Sequence, residues 1–240
     1  MKTAIVFGAT SGIGEEISKL LLKNGYKVAI TGRRFEKLAV LKNKYSNQVH
    51  IAQNDIQKVE EVEQVFNEIV EEFKTIDLII QSSGVGHINP KLTWSMEEET
   101  ILTNVVGVTK LYDLSFNLFR NQGFGHLVGI TSIASIRGNR SAPAYFSSKA
   151  YQKAYLESLF MKTKTIKSNK VFITDIRPGF VDTAMALGEG IFWMVSLEKA
   201  AKQIYTAIKK KKRVAYISKR WRLIAFILKI APASFLKKMI

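Results

Sequence analysis

Seven short, continuous apolar runs alternate with longer stretches of helical composition along the whole chain, and no other property restricts the fold as tightly. The runs are TAIVF, KVAIT, VHIAQ, DLIIQ, HLVGIT, VFITDI and VAYIS. A run that is apolar throughout suits a strand buried on both faces, and such strands belong to parallel sheets covered by helices on each side. Between them, stretches such as GEEISKLLLKNG and VEEVEQVFNEIVEEF read as amphipathic helices, and WSMEEETILTNVVGVTKLYDLSFNLF as a long one. The expected fold is α/β and doubly wound, with a parallel sheet of about seven strands.

In such sheets ligands bind beyond the carboxyl ends of the strands, and the unusual short segments all fall there. After the first strand comes Gly8-Ala9-Thr10-Ser11-Gly12-Ile13-Gly14. Glycines there allow a tight turn and close approach to a pyrophosphate, and the following helix N-terminus offers free N–H groups. Gly8, Thr10, Ser11, Gly12, Ile13 and Gly14 are therefore candidate dinucleotide contacts in a Rossmann-type fold. The second strand ends in Thr31-Gly32-Arg33-Arg34. An acidic residue at that point would hold the adenosine ribose hydroxyls; Arg33 and Arg34 stand there instead, suiting a 2′-phosphate and favouring NADP(H) over NAD(H). After the third strand, Asp55 with Ile56 can hold adenine, or Asp55 can cap the next helix. The fourth strand ends in Ser82-Ser83-Gly84, small enough for a cofactor to lie across the sheet or for a plain turn.

After the fifth strand, Ser132 precedes a helix-favouring run that holds Tyr145 and Lys149 four residues apart, on one helical face. A phenol beside an ammonium is a candidate proton donor, because the cation favours the phenolate. Spacing alone is weak evidence, since Tyr205 and Lys209 repeat it.

Taken in order, these pieces resemble the short-chain dehydrogenase/reductase family from about Thr3 to Thr183. Gly8, Gly12 and Gly14 match its glycine motif, Asp55 its adenine contact, and Asn104, Ser132, Tyr145 and Lys149 its catalytic set. Pro178-Gly179, with Val181 and Thr183, matches the segment that meets the nicotinamide. Ser82-Ser83-Gly84 departs from the family's Asn-Ala-Gly. The resemblance implies that Tyr145 donates a proton to a carbonyl oxygen as hydride arrives. Lys149 would lower the tyrosine pKa and hold the nicotinamide ribose. Ser132 would orient the substrate oxygen, and Asn104 would hold a water passing protons from Lys149.

Composition adds limits. There is no cysteine, and the three histidines have no metal-ligand spacing, so no metal is expected. Met1-Lys2 leads into the first strand without a signal-peptide layout, which points to a cytoplasmic protein, with peripheral contact at the inner membrane face open. The formal net charge of +16 is concentrated: from Lys199 onward there are 13 Lys/Arg and no Asp/Glu. Residues 1–218 are expected to form one domain, with an apolar substrate lid over about 184–196. Met185, Leu187, Ile191, Phe192, Trp193 and Met194 can bury a hydrophobic substrate or pack on the core. Residues 219–240 read as a basic, apolar helical tail with Trp221, Phe226 and Phe235. It suits an anionic membrane surface or a subunit contact in a dimer or tetramer, and nucleic acid does not fit it.

The reading is an NADP(H)-dependent oxidoreductase acting on the carbonyl or alcohol of an apolar, lipid-like small molecule. One alternative is a 3-oxoacyl-carrier-protein-type reductase docking an acidic carrier protein. Another is a non-catalytic nucleotide-sensing or scaffold protein on the same fold.

Overall fold

The computed structural model describes residues 1–184, 192–232, 234 and 237. Its strands are β1 (Thr3–Phe7), β2 (Lys27–Gly32), β3 (Val49–Gln53), β4 (Leu78–Gln81), β5 (Phe124–Ile130), β6 (Lys170–Pro178) and β7 (Val214–Ile217). They form one parallel sheet in the order β3-β2-β1-β4-β5-β6-β7. The expected α/β, doubly wound sheet is what the chain forms. The order reverses between β1 and β4, so the crevice at their carboxyl ends is where a ligand fits.

The helices are α1 (Gly12–Lys23), α2 (Phe35–Tyr45), α3 (Val59–Phe73), α4 (Trp94–Ile101), α5 (Val108–Gln122), α6 (Pro143–Lys162), α7 (Leu197–Lys209) and α8 (Trp221–Ile230). Alternation along β1 shows how they sandwich the sheet. Ala4 and Val6 face a core built with Ile17 and Leu21 of α1, Leu38 of α2 and Ile204 of α7. Ile5 and Phe7 face the other, with Phe66 and Ile69 of α3, Leu111 and Phe119 of α5, and Leu156 of α6. In α3 the buried positions are Val62, Val65, Phe66, Ile69 and Phe73, at the spacing that makes one apolar stripe.

The long fourth helical stretch is not one regular helix. Residues Leu102–Gly107 between α4 and α5 form a π-type segment, the kind of widened turn that re-aims side chains. It ends at Gly107, where an added Cβ would collide with the Ile56 carbonyl.

The first part of the basic tail packs on the domain. Trp221 is 3% exposed and its indole covers Gly179, leaving no room for a side chain there. Arg137 donates to the Ala231 carbonyl at 2.6 Å. The outer face of α8 is apolar and exposed at Leu223, Phe226, Ile227 and Ile230. Met185, Leu187 and Ile191 of the expected lid, and Phe235 of the tail, lie outside the described residues. Among the described residues, no helix is long and apolar enough to cross a membrane.

Candidate active site

A cavity of about 1570 Å³ opens at the carboxyl ends of the strands. Its floor is the turn after β1. Gly8 and Gly12 take positive φ, +84° and +59°, where a Cβ is disfavoured. The turn is tied to β2 by N–H bonds from Gly8 and Ala9 to the Thr31 carbonyl, at 3.1 and 2.9 Å. A Cβ on Gly8 would also come within 2.5 Å of the Ser83 nitrogen. Thr10, Ser11, Gly12 and Ile13 line the cavity, but Gly14 lies behind its wall, where the absence of a side chain lets α1 press against the Gly8 carbonyl.

Arg33 and Arg34 line one end. Arg34 reaches back over the turn, donating to Thr10 Oγ1 at 2.9 Å and Ser11 Oγ at 2.8 Å. Arg33 approaches Glu99 at 4.0 Å. Asp55 and Ile56 also line the wall. Asp55 is not a helix cap: α3 begins at Val59, and the Asp55 carboxylate instead accepts from the Gln57 N–H at 3.1 Å. Beside it, Asn54 is buried with its Nδ2 unpartnered in the protein. Ser82, Ser83 and Gly84 form the middle of the cavity wall, and Pro178, Gly179, Val181 and Thr183 close the far side.

Ser132, Tyr145 and Lys149 meet at the inner end. Pro143 at the start of α6 supplies a preset φ where no intrahelical N–H is needed, so the helix begins two residues before Tyr145. The Ser132 hydroxyl stands beside the Tyr145 phenol and accepts from the Ala134 N–H at 3.1 Å. Burial pushes the phenol pKa up, and the nearby Ser132 hydroxyl opposes this. The expected lowering by Lys149 does not prevail here; the ammonium lies 6.0 Å from the ring centre. Lys149 is itself buried, which lowers its pKa to about 8, while the Asp175 carboxylate pulls it back up.

Asn104 sits in the π segment, behind the cavity wall. Its Oδ1 accepts from the Val85 N–H at 3.0 Å, and its Nδ2 donates to the Val85 carbonyl at 2.7 Å and to Ser148 Oγ at 3.0 Å. The side chain thus ties the segment after Ser83 and Gly84, at Val85, to α6 at Ser148. Two participants escaped the sequence reading. Gly86 supplies the flat surface under the Tyr145 ring, and Gln152 bonds Lys149. Among the described residues, no cluster of three or more His, Asp or Glu side chains is placed to hold a metal ion.

These residues fit a dinucleotide. The glycine turn leaves the space a pyrophosphate needs, two guanidiniums stand at one end, and a buried amide donor waits unpaired beside Asp55. The fold and the crevice at its switch point define a Rossmann-type, nucleotide-binding oxidoreductase architecture. A sequence model described as short chain dehydrogenase matches residues 2–189, and the chain belongs to that family. An uncharacterized oxidoreductase of Staphylococcus aureus (strain USA300) is 32% identical over 188 residues, covering 77% of this chain and 80% of its own. An alcohol dehydrogenase from Thermococcus sibiricus, solved with 5-hydroxy-NADP, is 25% identical with a TM-score of 0.78, over 90% of this chain and 94% of its own. A short-chain dehydrogenase/reductase from Burkholderia phymatum, solved with NAD, shares the fold at a TM-score of 0.85 and 17% identity, covering 94% of this chain and 92% of its own.

Proposed function

We propose that this protein is an NADP(H)-dependent reductase of an apolar ketone or aldehyde, with Tyr145 as general acid. The observation that carries the reading is the meeting of Ser132, Tyr145 and Lys149 at one end of a cavity whose other end presents Arg33 and Arg34. NADPH, held by the glycine turn and by Arg33 and Arg34, would supply a hydride for the carbonyl carbon. Tyr145 gives its proton to the carbonyl oxygen, and Ser132 hydrogen-bonds the same oxygen and fixes its position. Lys149 stands behind the ring as the cation that stabilises the phenolate left after transfer. A phenol is protonated at neutral pH without help, and burial raises its pKa further, so release of the proton depends on Ser132 and Lys149 stabilising the phenolate. In the reverse direction the same phenolate is the base. Arg33 and Arg34 are the groups that would pair a 2′-phosphate.

An apolar substrate is supported by Val85, Ile88, Ile133, Ala142, Phe146 and Phe180, which surround the inner cavity. From Phe180 a train of aromatic rings leads outward: its centroid is 5.5 Å from that of Trp221, which is 5.1 Å from Phe192. Trp221 begins α8, whose exposed apolar face is flanked by Lys219, Arg220, Arg222 and Lys229. That pairing of apolar face and cationic flanks supports peripheral contact with an anionic lipid surface.

The test is NADPH oxidation against ketones graded by chain length and ring content, with NADH in parallel. Turnover should rise with apolar size. Tyr145→Phe should lose turnover by roughly 10²- to 10⁴-fold while still quenching or enhancing NADPH fluorescence on binding. Undiminished turnover in that variant would sink the assignment of the acid.

A further inference from the structure

Lys149 is 5% exposed and Gln152 fully buried, and a buried cation needs its hydrogens placed. The ammonium donates to the Ile130 carbonyl at 3.2 Å and to Gln152 Oε1 at 3.1 Å. The other end of the same amide, Nε2, donates to the main-chain carbonyl of Asn104 at 2.7 Å. The orientation of the Gln152 amide is set by its neighbours rather than chosen. Flipped, it would set N–H against an ammonium and oxygen against a carbonyl, leaving both partners unsatisfied. Gln152 stands three residues after Lys149, on the same helical face, so α6 presents both ends of this bridge.

The Asn104 carbonyl belongs to the π segment, where the helical ladder is interrupted. Gln152 gives this carbonyl a side-chain donor. The amide therefore does two things at once. It gives the ammonium a neutral acceptor, and it fastens α6 to the segment whose Asn104 side chain holds Val85.

We propose that Gln152 is a positioning residue for Lys149: its amide, anchored on the Asn104 carbonyl, aims the ammonium into the cavity and keeps it protonated. The importance of Lys149 rests on the function proposed above; the bridge itself does not. Other groups facing the ammonium are the Tyr145 phenol on α6 and the Asp175 carboxylate on β6, which is held by Arg177 at 2.6 Å and by the Thr131 hydroxyl at 2.6 Å. Asp175 is already committed to those partners, so the near acceptor supplied by Gln152 governs how the ammonium is seated.

Two substitutions test this with opposite signs. Gln152→Met keeps the length and removes the acceptor, so Lys149 should deprotonate at lower pH. Gln152→Glu puts an anion against the ammonium, so Lys149 should deprotonate at higher pH, each shift being about one pH unit. The direct measurement is the lysine side-chain NMR titration of Lys149 in the nucleotide-free protein. The second is the alkaline limb of the kcat/KM profile, which should move the same way in each variant. A purely structural glutamine would lower stability in both variants and move neither titration. An unmoved Lys149 titration in Gln152→Glu overturns the proposal even if Gln152→Met fails to fold. Lys149→Met separates the two layers. If it retains turnover while the Gln152 variants shift the titration, the function reading fails and the bridge stands. If it is inactive and the titration never moves, the bridge alone fails.

Discussion

A Cβ on Gly86 would lie 2.6 Å from Cδ2 of Tyr145, so the phenol ring rests directly on the backbone of the segment after β4. Gly86→Ala must therefore push either the ring or that segment aside. A displacement of this size at a reacting group costs on the order of 10- to 100-fold in rate. The expected outcome is a fall in kcat with a smaller change in the Kd for NADPH, since Gly86 packs on the Tyr145 ring rather than on the glycine turn. Steady-state kinetics beside fluorescence titration reads both.

Arg34 bonds Thr10 and Ser11 across the glycine turn, and under the proposed function its guanidinium pairs the 2′-phosphate. Replacing it with aspartate removes one charge-assisted partner and adds a repulsive one. NADPH should then bind roughly 10- to 100-fold more weakly, with NADH spared, as expected for losing a hydrogen bond to a charged group. Equal losses for both nucleotides would instead mean that Arg34 serves the turn.

His126 provides a pH test independent of activity. Burial, aided by the charge of Lys211, lowers its pKa from 6.5 to about 4, and its Nε2 pairs with Thr174 Oγ1 at 2.7 Å. The unfolded chain takes up this proton near 6.5 and the folded one only near 4. Between those values the unfolded state binds more protons, so stability falls as pH drops through that window and the contribution levels off below it. The cost is on the order of 3 kcal/mol. Urea denaturation of the native protein and of His126→Gln should show this slope only in the former.

For α8, sedimentation with vesicles containing phosphatidylglycerol should be strong at low salt and weaken as salt rises. Phe226→Glu with Ile230→Glu should reduce it about tenfold or more, because each removes a large apolar side chain from the surface face. A native protein that never sediments ends the lipid proposal. If the same variant changes mass on size exclusion, the face joins subunits.

The sheet was legible because each strand is a closed apolar run bounded by polar or glycine residues, and Gly8 and Gly12 were legible because their positions demand a turn. Strand β5 starts two residues earlier than the apolar run HLVGIT, at Phe124, where Gly123 ends α5 in a left-handed conformation. The π segment left no mark, since a widened turn has no composition of its own. Gly86 and Gln152 were equally silent: each acts on a residue that only the folded chain brings near or orients. Trp221 looked like an interfacial aromatic, yet it is buried against Gly179. An apolar helix with cationic flanks looks the same in sequence whether its first turn seeks lipid or the rim of its own domain.

The strand order also dictates when the cavity can exist. Among the described strands no two neighbours are joined by a hairpin; β1 pairs with β4 through Ala4 and Leu78, and the last described wall residues are Pro178 to Ala184 and Leu197. Such distant pairings make for slow folding. A chain emerging from the ribosome carries its glycine turn from the start, but the walls of the cavity are complete only once β6 has joined. A ligand that touches every wall therefore meets its whole site only at a late stage of folding.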